Sequence, residues 1–394
     1  MTGLLKQTAA VIRINLKSLP SRAMMSLATT GSIALVVMVL CGFLALSQGF
    51  RTILAATADP TTIIVLSDRS SAELTSAITR GQASLIDLKV ADIIDPARAQ
   101  ISPELFVNVS GTRRSDGETI TLPLRGLSSS GLALRPEVRL SQGRPYKPGE
   151  RELYVGASVQ REFKGYDLGD TVRLGATEWR VVGIFQAPGS VHQSEIYADA
   201  EVVQSVFDRQ ESWQSLRIRL DTTEQTAALI SALNSDQRLG LSAETTTAFY
   251  ARQARGTGDL IRYLAWPLAV IMAIGALAGA ANTMQASVTA RQQDIAVLRA
   301  LGFPRFSAFA GTVAESLFLS GVGAILGIAA SFAVFDGVTT STIGAATNQV
   351  VFDMEISAGV ALAGGALALA VGGLAALVPA VRSARMSASL ALNA

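Results

Sequence analysis

The chain has 394 residues, 49% of them hydrophobic and 16% charged, with a formal net charge of +2. A soluble globular chain carries about 25% charged residues, and here the shortfall is gathered into four blocks, which excludes one large soluble core and points to membrane segments. The near-neutral balance gives no reason to expect nucleic acid, and the one cysteine and one histidine, Cys41 and His192, lie too far apart in sequence to suggest a zinc site or a Cys/His catalytic pair.

The leading segment, Leu4 to Leu19, is amphipathic and basic, with Lys6, Arg13 and Lys17 before Arg22 and no acid, and suits a membrane interface. A bilayer core takes about 20 apolar residues in helical form. No charge falls between Arg22 and Arg51, and Leu27 to Leu46 is the apolar heart of a first span. The charged stretch before it is long and the apolar run exceeds the roughly 7–15 residues of a signal peptide, so the span reads as an anchor. Cys41 lies inside it, leaving no disulfide for what comes next.

From about Arg51 to Gly258 the composition is that of an ordinary globular domain. Thr62 to Leu66 reads as a buried strand, and Ser70 to Glu73 has the S-x-x-E spacing of a helix capping box. Leu105 to Val109 and Glu118 to Leu124, joined through Ser115-Asp116-Gly117, read as a hairpin, as do Thr171 to Leu174 and Trp179 to Phe185 around Gly175-Ala176. Ser215 to Leu220 alternates like a strand and Thr222 to Leu233 looks helical, which makes the domain mixed α+β. Thr245 to Arg262 is polar, helix-compatible and continuous with the second span, like a stalk.

Three more spans follow. The chain is uncharged between Arg262 and Arg291 and between Glu355 and Arg382, and carries one charge, Glu315, between Arg305 and Asp336. Lysine and arginine fix the orientation. The leading segment, the loop with Arg291, Arg299 and Arg305, and the tail with Arg382 and Arg385 are basic, whereas the loop with Asp336, Asp353 and Glu355 is acidic. Both termini are therefore expected in the cytoplasm and the large domain outside it.

The chain contains no G-x-x-x-x-G-K-[ST], H-E-x-x-H or G-x-S-x-G. The acids and hydroxyls of the outside domain show no triad-like grouping, and His192 reads as a satisfied surface or core residue. A charge in lipid costs several kcal/mol, so Glu315 either pairs with a polar group near the cytoplasmic end, sits protonated as a packing element, or carries function. Gly275/Gly279 and Gly323/Gly327 form G-x-x-x-G pairs, and Gly364, Gly365, Gly372 and Gly373 line the last span; they suit either packing within the chain or a dimer interface. Thr289 to Phe306, TARQQDIAVLRALGFPRF, reads as a short amphipathic helix with Ile295, Leu298 and Leu301 on one face, ended by Gly302 and Pro304. It either lies on the lipid or docks a cytoplasmic partner.

DIAVLRALGFPR within Arg291 to Arg305, the run from Glu315 to Gly327, Pro379-Ala-Val-Arg382-Ser-Ala-Arg385, Leu168 to Gly175 and Val181 to Phe185 occur in the order found in the MacB/FtsX-type permeases of ABC transporters, the type VII or mechanotransmission class, and the whole chain resembles that family. It departs from MacB in lacking a fused ATPase, and its tail, MSASLALNA, lacks the proline many relatives carry there. The resemblance implies a membrane protein of α+β class, four transmembrane helices with a mixed α/β periplasmic domain between the first and second. The expected divisions are 1–22 an amphipathic cytoplasmic segment, 23–50 the first span, 51–258 the periplasmic MacB-type core with its stalk, 259–290 the second span and 291–305 a coupling loop. They continue with 306–335 the third span, 336–356 a short periplasmic loop, 357–381 the fourth span and 382–394 the tail.

By the same resemblance the chain is a non-enzymatic permease subunit of a bacterial inner membrane. It has no catalytic residue, no metal and no cofactor of its own, ATP and Mg being bound by a separate cytoplasmic ABC ATPase. Gln292, Asp294, Leu298, Arg299 and Leu301 would face that ATPase. Glu315 and the glycines Gly275, Gly279, Gly323 and Gly327 would be structural parts of the bundle, or of a homodimer with a second permease. Work would be done in the periplasm, as export or efflux with an adaptor and an outer-membrane duct. The alternatives are lipid or lipoprotein extraction, with membrane lipids as partners, and regulation of a cell-wall hydrolase.

Overall fold

Among the residues the structure describes, four helices are long and apolar enough to cross a membrane, Pro20–Thr57, Tyr263–Ala290, Arg305–Phe335 and Ala358–Arg385. The structure, a computed structural model, describes residues 2–95, 98–343 and 349–386. Residues 344–348 of the expected short loop and 387–394 of the expected tail lie outside the described residues. In chain order the helices are α1 Thr2–Lys17, α2 Ala23–Thr57, α3 Arg80–Ile93, α4 Ser129–Ala133, α5 Ala157–Glu162, α6 Ala200–Val206, α7 Thr223–Ser235, α8 Thr246–Ala290, α9 Gln292–Ala300, α10 Arg305–Phe335 and α11 Ala358–Arg385. The strands are β1 Thr62–Ser67, β2 Ile78–Thr79, β3 Gln100–Thr112, β4 Thr119–Leu127, β5 Arg139–Gly143, β6 Glu152–Gly156, β7 Thr171–Leu174, β8 Thr177–Gln186, β9 Ile196–Asp199, β10 Ser212–Trp213, β11 Ser215–Arg219, β12 Leu241–Thr245, β13 Thr339–Ile343 and β14 Gln349–Asp353. They fall into two units, Met1–Gln48 with Asp259–Val338 and Met354–Ala394, and Gly49–Gly258 with Thr339–Asp353.

The helical unit is held by small residues and hydroxyls. Ile33, Val37 and Cys41 of α2 meet Ala276, Ala324, Ala368 and Val371 in one apolar cluster. A Cβ on Gly323 would come within 2.9 Å of the Thr30 carbonyl oxygen, and one on Gly327 within 2.6 Å of the Ala34 oxygen. These two glycines therefore let the backbones of α10 and α2 approach. Ser316 Oγ donates to the Gly372 carbonyl at 2.7 Å, Thr312 and Ser383 hydroxyls meet at 3.3 Å, and Thr29 and Thr283 hydroxyls at 2.6 Å. Gly275 and Gly279 have no atom of the chain within 4 Å of where a Cβ would stand, so the chain packs one G-x-x-x-G pair and leaves the other open.

The inserted domain is a ten-stranded mixed sheet in the order β12-β1-β11-β3-β4-β9-β6-β8-β5, with β7 on β8. The β4–β9 and β6–β8 pairs are parallel. Both expected hairpins are present, turning through Gly117 at φ 74° and Gly175 at φ 61°, where a side chain would be strained. One apolar core covers β3, β4, β6, β8 and β9 around Trp179, Phe163 and Tyr166; a second joins β1, β11 and β12 to α3 and α7 through Ile63, Ile86, Leu216 and Leu229.

The expected capping box at Ser70–Glu73 does not form. Ser70 Oγ bonds Ser67 Oγ, and Glu73 begins a short 3-10 turn with its carboxylate buried against arginine. The box forms instead at Thr79, whose side chain takes the Gln82 N–H while Gln82 reaches back to the Thr79 N–H. Ion pairing in the interior outcompeted a local spacing. Sequence reading also passed over the pair β13–β14 within the short loop, where the Val351 N–H donates to Ser194 Oγ at 3.2 Å and the Phe352 ring meets Phe50 edge-on at 5.6 Å.

Candidate functional site

In the helical unit, α8 ends at Ala290 and the chain breaks at Arg291, the N-cap of α9, which has φ −109° and ψ 18°. The helix stops at Ala300 because Gly302 takes φ 90° and Pro304 then caps α10. One face of α9 looks inward, where Ile295, Leu298 and Arg299 line a cavity of about 60 Å³ with Val11 and Asn15 of α1 and Phe303. Arg299 Nη1 donates to the Phe303 carbonyl at 2.9 Å, tying the turn after α9 back to the helix's last turn.

Of the five residues expected to face a partner, Leu298 and Arg299 are half-buried in this groove, Gln292 is half-buried, Asp294 is exposed at the rim, and Leu301 is 71% exposed. Leu301 does not share a face with Ile295 and Leu298, since the helix has ended one residue earlier. Val297 and Phe306, which the spacing did not single out, join Leu301 as exposed apolar side chains, 49% and 58% exposed. A large apolar residue next to the break was the signal available for Phe306.

Glu315 of α10 is buried, 1% exposed, and partnered. Arg291 Nη2 donates to its Oε2 at 2.5 Å, Arg22 Nη1 stands 3.4 Å from its Oε1, and Ser287 Oγ donates to Oε1 at 3.2 Å. Arg22 also donates to Ser287 Oγ. One carboxylate thus holds the entry to the first long apolar helix, the end of the second and the N-cap of α9. The charge does not face lipid: its desolvation is offset by two guanidiniums and a hydroxyl.

The inserted domain holds a second cluster that the sequence did not reveal. Alternation along β3, β11 and β4 turns Leu105, Leu216 and Leu124 into the apolar cores, and Glu104, Arg217 and Arg125 to the opposite face. Arg125 donates five hydrogen bonds: two to Glu73, two to Glu195 and one to Glu104, at 2.8 to 3.2 Å. That uses every N–H of its guanidinium, which also lies over the Phe106 ring at 4.7 Å. Arg135 makes a forked pair with Glu104 at 2.8 and 2.7 Å, and Arg217 Nε stands 3.4 Å from the same carboxylate.

Burial alone would push Glu73, Glu104 and Glu195 up, but the guanidiniums outweigh it and hold all three below the usual carboxylate range, Glu73 at about 2. His192 is a satisfied core residue, with Nδ1 3.0 Å from Glu195 Oε2, and its burial lowers its pKa. Among the described residues no group of three or more His, Cys, Asp or Glu could hold a metal.

The model of the MacB-like periplasmic core domain matches residues 26–236, and that of the FtsX-like permease C-terminal region matches residues 267–388. An uncharacterised ABC transporter permease of Mycobacterium tuberculosis is 27% identical over 319 residues, 78% of this chain and 80% of the relative. One of Methanocaldococcus jannaschii is 25% identical over 174 residues, and the match spans 43% of the relative's length. Among solved structures, the periplasmic region of MacB from Actinobacillus actinomycetemcomitans aligns with 50% of this chain and 94% of its own at TM-score 0.37 and 14% identity. The extracellular domain of the noncanonic ABC-type transporter YknZ from Gram-positive bacteria aligns with 47% of this chain and 100% of its own at TM-score 0.35 and 17% identity. With one family model covering more than half of its length and the second covering three of its four long apolar helices, the chain belongs to the MacB-like periplasmic core domain family and is an ABC transporter permease of the MacB/FtsX type.

Proposed function

We propose that this permease couples ATP hydrolysis by a separate cytoplasmic ATPase to conformational work on the far side of a bacterial inner membrane, and that α9 is where the coupling enters. The observation that carries the reading is the fixing of Arg291, the N-cap of α9, to buried Glu315 together with Arg22 and Ser287. A push on α9 is thereby a push on three spans. Asp294, Val297 and Leu301, with Phe306, present the mixed apolar and acidic surface that a protein partner would cover; Leu298 and Arg299 would set the angle of α9 rather than touch the partner.

The spans support a lever over a pore. Four of their buried hydroxyls, Thr29, Thr312, Ser316 and Ser383, are engaged in bonds between helices. Export or efflux with a periplasmic adaptor is the reading retained for the work done, with the basic loops and both termini in the cytoplasm and a second copy of the chain completing the assembly.

The test is ATPase activity of the co-purified complex with the DIAVLRALGF segment intact and scrambled. The expected result is loss of permease-dependent activity on scrambling; unaltered coupling would sink the proposal.

A further inference from the structure

Helix α1 has a face the transporter reading does not use. Thr8, Val11 and Asn15 are buried: Thr8 Oγ meets Ser307 Oγ at 3.0 Å, and Val11 and Asn15 pack where a Cβ on Gly311 would stand. Lys6, Arg13 and Lys17 follow spacings of seven and four residues, which sets them in one stripe. At about 100° per residue that stripe points almost directly away from the buried face. All three are exposed, and none forms an ion pair with any described residue. No acid occurs in the chain before Asp59, so nothing nearby in sequence neutralises them.

The flanks of the stripe are apolar. Leu5 is 69% exposed on one side and Ile14 51% on the other, and Met24 and Leu27, 83% and 65% exposed, carry the apolar surface on into the start of the first span. Free lysine and arginine between exposed leucine and isoleucine, on a helix leading directly into a membrane span, match an anionic bilayer surface: charge to headgroups, side chains to acyl chains. An acidic protein surface would match the charge but leave the apolar flanks without a partner.

We infer that the Lys6–Arg13–Lys17 face of α1 is a binding site for anionic phospholipid headgroups. It goes beyond the coupling role proposed for α9 and does not depend on it, although α1 forms one wall of the groove that holds α9.

The experiment uses the full-length permease in phosphatidylcholine vesicles with and without phosphatidylglycerol, followed by native mass spectrometry of the lipids it retains. Each basic residue near an anionic surface favours binding about fivefold, and screening reduces the sum. The wild type should therefore retain phosphatidylglycerol over phosphatidylcholine by about tenfold. The preference should vanish in the Lys6→Gln/Arg13→Gln/Lys17→Gln variant and at high salt, and survive in Lys6→Arg/Arg13→Lys/Lys17→Arg, which keeps the charges. Equal retention of the two lipids by the wild type overturns the inference, and so does a preference that the glutamine variant keeps. If the glutamine variant instead loses a co-purifying ATPase while lipid retention is unchanged, the stripe is a protein contact and the inference falls.

Discussion

The two buried ion clusters solve one physical problem in opposite ways. In the helical unit a single carboxylate, Glu315, serves two guanidiniums and a hydroxyl that arrive from the turn before α2, the end of α8 and the N-cap of α9. In the inserted domain three carboxylates and three guanidiniums balance, and each carboxylate touches Arg125. A balanced, cross-linked cluster has no spare partner and braces the strands it joins. An unbalanced one, with one acceptor shared by two donors, can shift weight from one guanidinium to the other without leaving a charge bare. Rigidity suits a sheet braced as one body; a shared acceptor suits the point where three long helices and α9 meet.

The sharpest way to break this comparison is at its hub. Arg125→Met leaves Glu73, Glu104 and Glu195 facing one another without their shared cation, and removing one side of a buried pair costs about 3–5 kcal/mol. Urea unfolding of the full-length protein in detergent, followed by the fluorescence of buried Trp179, should show the midpoint falling accordingly. Arg125→Lys should recover little of it, since an ammonium has three donors where five are in use. An unchanged midpoint in either variant would mean that the apolar cores, not the ions, hold the sheet.

Acid probes the same cluster without mutation. The folded pKa of Glu73, about 2, lies below its ordinary 4.5. Its contribution is therefore fully present above pH 4.5 and is lost as pH falls from there toward 2, an amount of about 3 kcal/mol at 1.36 kcal/mol per pH unit. The lowered pKa of His192 acts with the same sign and begins earlier, as pH falls below 6.5, because the unfolded chain gains a proton there that the folded one refuses. Trp179 fluorescence against pH should show the domain loosening on the acid side only; a matching loss on the alkaline side up to pH 9 would contradict the assignment.

These clusters also differ in how far the sequence revealed them. Glu315 stood out because it is one charge in an apolar block, and its pairing near the cytoplasmic end was among the readings the sequence allowed. Glu73, Glu104, Arg125 and Glu195 are unremarkable in a domain of ordinary composition, and they meet only through the sheet order; Ser215, which donates to Glu73, is 142 positions away from it. The same long-range pairing explains why a local capping signal at Ser70–Glu73 failed while local turn signals at Gly117 and Gly175 held. A hairpin is decided by four residues, a buried carboxylate by the whole fold. Around α9, the break at Gly302 and Pro304 was legible, but which side of the helix faces inward was not, because α1 and not periodicity decides it.

Glu315→Gln tests the shared-acceptor side of the comparison. The amide keeps an acceptor for one guanidinium and loses the charge for both, so the stability of the helical unit should fall by about 2 kcal/mol, the range of a hydrogen bond to a charged group. Pairing it with Arg291→Gln should recover part of that loss, because one uncompensated cation is then gone. Thermal denaturation of the two variants and the double variant in detergent reads the coupling directly; strictly additive losses would mean that Glu315 and Arg291 do not act as a pair.

The smallest effects separate the two G-x-x-x-G pairs, which look alike in sequence. A Cβ on Gly327 would stand 2.6 Å from the Ala34 carbonyl oxygen, a backbone atom that cannot swing aside. Gly327→Ala should therefore cost about 1–3 kcal/mol, as overpacking does. Gly275→Ala meets no atom of this chain within 4 Å and also gains helix propensity, so it should change the melting temperature of the isolated subunit by the equivalent of less than about 0.5 kcal/mol. If Gly275→Ala destabilises the protein, and does so less as detergent dilutes the chains apart, the open pair is covered by a second copy. A loss independent of dilution would instead mean that α8 packs against its own chain more closely than the open face at Gly275 allows.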